Sequence, residues 1–92
     1  MSTAPIPIRL RNPRAYHRAR KCDVCGERVL PGTPMAVMES TLDPERKLRA
    51  CIGCYVHRGE DSMLDKWTEA AARLFPRATE AIRKAAREAR HA

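Results

Sequence analysis

The sequence predicts a small α+β domain: a knuckle and a β-hairpin first, then C-terminal helices. Three observations carry this. Two Cys-x-x-Cys pairs, Cys22-Asp23-Val24-Cys25 and Cys51-Ile52-Gly53-Cys54, are separated by 25 residues. Between them, short runs of strand-forming residues are broken by Pro and Gly. Beyond them, Met63, Trp67, Ala70, Ala71 and Leu74 recur at helical spacing, with Leu64 alongside.

The two pairs use all 4 cysteines of the chain. Four thiolates in two such steps close a tetrahedron around one zinc ion, with Zn–S bonds of about 2.3 Å. The intervening segment is long enough for a hairpin, so the pairs can meet without strain. Gly26, directly after the first pair, and Gly53, inside the second, read as turn glycines. Other uses of these cysteines fit less well. A disulfide framework needs an oxidising compartment, and no signal peptide is seen to supply one. A redox Cys-x-x-Cys follows a buried strand of a βαβ unit, and no such pattern precedes Cys22 or Cys51. Free buried cysteines leave two identical spacings unexplained. The expectation is a structural zinc site with Cys22, Cys25, Cys51 and Cys54 as ligands. His57 is an alternative ligand, but four sulfurs fill the shell, so it reads as a surface or outer-sphere histidine.

A chain of 92 residues makes one small domain with appendages. Its aromatic residues are Tyr16, Tyr55, Trp67 and Phe75. A core so thin calls for a staple, and zinc can supply roughly 10–16 kcal/mol of apparent binding energy that becomes folding energy. The reading divides the chain into a basic extended arm (1–20), a four-cysteine zinc module (21–60) and a C-terminal helical segment (61–92).

In the arm, Pro5, Pro7 and Pro13 break any helix. Ile6, Ile8 and Leu10 alternate with Pro7 and Arg9, which suits a short edge strand. From Arg9 onward it reads as a basic arm, with a solvated tail as the competing reading. In the module, Arg28-Val29-Leu30, Met35-Ala36-Val37-Met38 and Lys47-Leu48-Arg49-Ala50 read as strands. Turns fall at Pro31-Gly32 and at Leu42-Asp43-Pro44-Glu45. A helical turn starts at the second pair, runs through Tyr55-Val56-His57-Arg58 and ends at Gly59. Ser62 then looks like the N-cap of a longer helix, which Pro76 stops or kinks near Phe75. Residues 77–92 are alanine-rich and helix-prone, with Ala78, Ile82, Ala85 and Ala89 as a weak apolar face.

Charge is distributed unevenly. The formal net charge of +7 treats the cysteines as neutral; four thiolates on Zn²⁺ would lower it to about +5. Residues 1–21 hold six cations, Arg9, Arg11, Arg14, Arg18, Arg20 and Lys21, and no acid. Residues 22–60 come to −1, residues 61–72 to −2 and residues 73–92 to +4. In the last stretch Arg73, Arg77, Lys84 and Arg87 form one strip, with Arg83 and Arg90 beside it. Arginine outnumbers lysine 14 to 4, which suits bidentate contacts to phosphate or guanine.

The stretch Lys21-Cys22-Asp23-Val24-Cys25-Gly26-Glu27-Arg28-Val29-Leu30-Pro31-Gly32-Thr33-Pro34 resembles the knuckle-and-hairpin opening of treble-clef zinc fingers. The resemblance covers about residues 20–60. It implies that the second ligand pair sits at the first turn of a helix, which suits Ala50 to His57. Within that group the stretch is similar to the poly(ADP-ribose) polymerase type, which reads DNA breaks; that type has His-x-x-Cys where Cys51 and Cys54 stand here. A four-cysteine zinc ribbon describes the pattern nearly as well.

These features lead to a small zinc-finger nucleic-acid-binding protein, DNA more than RNA, in a transcription-related regulatory role. Arg9, Arg11, Arg14, Arg18, Arg20 and Lys21, with Arg77, Lys84 and Arg87, would supply the phosphate contacts. The rival reading is a zinc-stabilised interaction module that docks on a transcription or replication enzyme through Trp67, Phe75 and a strand edge. An HNH nuclease would need a His and an Asn in the segment 26–50, which contains neither. No Ser/His/Asp set, paired-carboxylate cleft or phosphate-binding glycine loop is present, so the expectation is a non-enzyme without a small-molecule substrate. No apolar run nears the ~20 residues of a membrane span. The thiol pairs point to a reducing interior, cytoplasmic or at the nucleoid or nucleus.

Overall fold

Alternation of apolar residues with arginines makes the N-terminal stretch a strand. In the computed structural model, which describes residues 7–91, Ile8–Ala15 (β1) pairs antiparallel with Pro34–Ser40 (β4). Lys47–Cys51 (β5) pairs on the far side of β4, giving a three-stranded sheet in the order β1-β4-β5. Arg20–Lys21 (β2) and Arg28–Val29 (β3) form a separate two-stranded ribbon around the first cysteine pair. Within the expected basic extended arm, residues 8–15 are an edge strand of the sheet and Arg20 belongs, with Lys21, to the ribbon. Ile6, expected in the same strand, lies outside the described residues. Strand β3 pairs with β2, so the hairpin between the cysteine pairs is β4–β5 alone.

Proline explains the one irregularity of β1. The register steps from Arg11↔Val37 to Arg14↔Met35, so β1 carries one residue more than β4 at Asn12-Pro13. Pro13 has no N–H to give a ladder, and a bulge on an edge strand accommodates it.

Three helices follow: Ile52–Val56 (α1), Asp61–Leu74 (α2) and Pro76–His91 (α3). α1 ends at Val56 with His57 as its C-cap, so Gly59 does not terminate it. The N-cap of α2 is Glu60, which corrects the expectation of Ser62. The backbone carbonyl of Glu60 accepts from Met63 N–H at 2.9 Å, so the helix begins one residue ahead of Ser62, at Asp61. Pro76 ends α2 by opening α3, where its missing N–H is no loss.

One core joins the sheet, the cysteine pairs and the helices. Leu48 and Ala50 of β5 pack with Cys22, Cys54, Ala70, Phe75 and Ala78, and Ile8, Met38, Met63, Trp67 and Leu74 border them. The helices therefore cover the sheet face that carries Ile8, Met38, Leu48 and Ala50. By strand alternation, Arg9, Arg11, Val37, Glu39, Lys47 and Arg49 lie on the other face. Only the start of α3 is docked, since every residue from Ala81 to Arg90 is exposed. Of its expected apolar face, Ala78 is buried while Ile82 is 43% exposed. No helix among the described residues is long and apolar enough to cross a membrane.

Candidate metal centre and basic face

The knuckle is held against β5 by its own aspartate. Asp23 N–H donates to the Arg49 carbonyl at 2.8 Å, and its Oδ2 accepts from Arg49 N–H at 2.7 Å. Both backbone groups of Arg49 are thereby used, and the knuckle extends the sheet by one short rung. Gly26 turns the chain out of the knuckle at φ 77°, a left-handed conformation that favours glycine. Gly53 differs from expectation: it sits in α1 with ordinary helical backbone, because the second pair enters a helix rather than a turn.

This packing brings the four sulfurs together. Their Sγ atoms all lie within 4.8 Å of one another, with Cys22–Cys54 at 3.8 Å and Cys25–Cys51 at 3.9 Å. Four sulfurs at about 2.3 Å from one tetrahedral ion would be about 3.8 Å apart. These distances are too long for a disulfide, whose S–S bond is about 2.05 Å. The donor set, four soft sulfurs and no carboxylate, suits zinc.

Backbone N–H groups are aimed at the sulfurs. Cys22 Sγ accepts from Val24 and Cys25 N–H at 3.4 Å and from Cys51 N–H at 3.3 Å. Cys51 Sγ accepts from Cys54 N–H at 3.4 Å. Burial pushes the Cys22 thiol up, but its three N–H donors outweigh this and bring it down to about 7. Burial prevails at Cys25 and Cys54, whose thiols are raised. Without a cation, then, the cluster carries its negative charge most readily at Cys22. A divalent ion would let all four deprotonate, and the N–H groups would stabilise the excess charge. His57 stands apart from the cluster, its Nδ1 2.7 Å from Glu60 Oε1 on the surface.

Two residues ignored as ligands hold the centre in place. Trp67 Nε1–H donates to the Cys54 carbonyl at 3.2 Å, and Arg73 Nη2 donates to the Asp23 carbonyl at 2.9 Å. Arg73 was expected on the basic strip; here it fastens α2 to the knuckle. Phe75, expected as an exposed anchor for a protein partner, is 0% exposed at the centre of the core, which corrects that expectation. Trp67 is half-buried on the same core.

The expected phosphate-binding cations fall into two groups that the fold separates. Arg9, Arg11 and Arg14 lie along β1 on the helix-free side of the sheet, where Lys47 and Arg49 join them. Arg18, Arg20 and Lys21 follow, all exposed, toward the knuckle. Arg77, Lys84 and Arg87 are exposed on α3, in the helical layer on the opposite side, and Arg87 is paired with Glu80 at 3.1 Å. On the sheet face Glu39 lies between Arg11 at 3.5 Å and Lys47 at 3.6 Å. Sequence reasoning missed Lys47 and Arg49 because only the β4–β5 register places them beside β1.

Comparison with known protein families, with curated proteins and with solved structures gives no match to this chain.

Proposed function

We propose that this is a zinc-dependent nucleic-acid-binding protein without enzymatic activity. Its metal module is of the treble-clef type, with the first cysteine pair in a knuckle, then the β4–β5 hairpin, then the second pair at the start of α1. The observation that carries the functional reading is the helix-free sheet face. It gathers Arg9, Arg11, Arg14, Lys47 and Arg49, and Glu39 is the carboxylate set among them. A flat, cation-rich surface on a rigid support suits a polyanion with regularly spaced charges. The zinc centre would hold that surface rigid through the Asp23–Arg49 rung. The cations on α3 contribute less, because they face another way.

Binding to generic duplex DNA and to RNA, measured against salt, tests this. About three to five phosphate contacts would give a slope of log K on log[salt] near −3 to −4.5 on duplex DNA. A zinc-loaded protein that binds neither DNA nor RNA near 50 mM salt would end the reading and turn the search to a protein partner.

A further inference from the structure

Where β1 leaves the sheet, Tyr16 is surrounded by guanidiniums. The Cζ atoms of Arg20, Arg49 and Arg14 stand 4.3, 5.2 and 5.6 Å from its ring centroid. Arg49 Nε also donates to the Tyr16 hydroxyl at 2.9 Å. The loop is fixed from behind, since the Tyr16 carbonyl accepts from Gly32 N–H at 2.9 Å. Beside the ring is a hollow of about 390 Å³ lined by Arg14, Tyr16, His17, Arg18, Arg20 and Arg49, with Ala15 at its edge. No carboxylate lines it. Among the described residues, none of its four arginines forms an ion pair.

Four like charges around one hollow repel one another. The π face of Tyr16 offsets part of that repulsion, and a bound anion would offset the rest. Such an arrangement is a local conflict with stability of the kind that marks a site. The chemistry of the anion follows from the donors. Guanidinium forks fit phosphate oxygens in pairs, and a phosphate monoester brings about −1.5 to −2 charge and three acceptor oxygens. The hollow is roomier than one phosphate needs, in the range of small-ligand pockets at about 300–1,000 Å³. Sugar or base can therefore enter with it, against arginine planes that stack on bases.

We infer that the Tyr16 hollow is a nucleotide phosphate site: the place on the basic face where one phosphate ester is gripped individually, while the other cations act as a diffuse field. The inference rests on the nucleic-acid reading for its natural ligand, but its chemistry can be tested alone.

The test follows the arginine Nε–H and tyrosine ring signals of the full-length zinc-loaded protein by NMR during three titrations: adenosine 5′-monophosphate, adenosine and polyglutamate. Saturable shifts of Arg20, Arg49 and Tyr16 with the monophosphate, and none with adenosine, are expected. Arg20→Gln should then weaken oligonucleotide binding about tenfold, the scale of a lost charge-assisted hydrogen bond. Arg11→Gln, which removes a cation already paired with Glu39, should cost only about two- to threefold. Tyr16→Phe keeps the ring and should keep most of the shift at Arg20 while changing that at Arg49. Equal losses in R20Q and R11Q, or no shift with the monophosphate while oligonucleotides still bind, would overturn the site and leave the nucleic-acid reading standing. Equal shifts with polyglutamate would overturn the phosphate assignment. No binding of any nucleic acid would overturn both.

Discussion

The indole N–H of Trp67 donates to the carbonyl of Cys54 at 3.2 Å, so the one tryptophan of the chain ties α2 to the second cysteine pair. The bond orients α1 from outside while the sulfurs hold it from inside. Trp67→Phe keeps an aromatic ring but removes the donor to the Cys54 carbonyl, which should cost at least about 1 kcal/mol. Trp67→Ala also empties half-buried volume and should cost about 3 kcal/mol. Denaturant unfolding of the zinc-loaded protein checks both, and tryptophan fluorescence should change when metal is removed.

Asp23 plays the matching part at the first pair. Replacing it by Ala removes the acceptor for Arg49 N–H and frees the knuckle from β5. Stability should fall by about 1–2 kcal/mol, with weaker zinc retention in a chelator competition. Asp23→Asn keeps a side-chain oxygen and should lose less.

Asp43 holds the other end of the helical layer. It is 1% exposed, and its carboxylate accepts from Arg77 N–H at 3.3 Å and Ala78 N–H at 3.0 Å. It is an N-cap for α3 supplied from the β4–β5 loop. Asp43→Ala should cost about 1–2 kcal/mol and speed amide exchange in the first turn of α3.

The sequence made some of this legible and hid the rest for identifiable reasons. The cysteine spacing and the strand-like runs Met35–Met38 and Lys47–Ala50 mark the candidate metal ligands and the hairpin, because both are local signals. The role of Asp43 was hidden, since its turn residue and the helix it caps are 34 and 35 positions apart. Phe75 lies beside Pro76 at a helix junction, where periodicity gives no face, and so its burial was missed. Arg49 lies 33 positions from the tyrosine it stacks on. What escaped was non-local pairing, including the run of the edge strand beyond Leu10 to Ala15.

The two basic regions can be separated by truncation. Removing residues 83–92 takes away a net three positive charges from an exposed helix end. Folding stability should change by no more than about 0.5 kcal/mol. If the sheet face makes the phosphate contacts, the salt slope should change by less than about one unit. A loss of several units would instead place the interface on α3.

All of these expectations depend on the metal centre. Its most direct test is far-UV circular dichroism of the purified chain during chelator titration, with zinc content measured on the same samples. The account predicts one zinc per chain, lost together with the β and α signals and restored with them on adding zinc. Cys25→Ser should reproduce the loss. A chain that is free of metal and keeps its full spectrum and cooperative unfolding would contradict it.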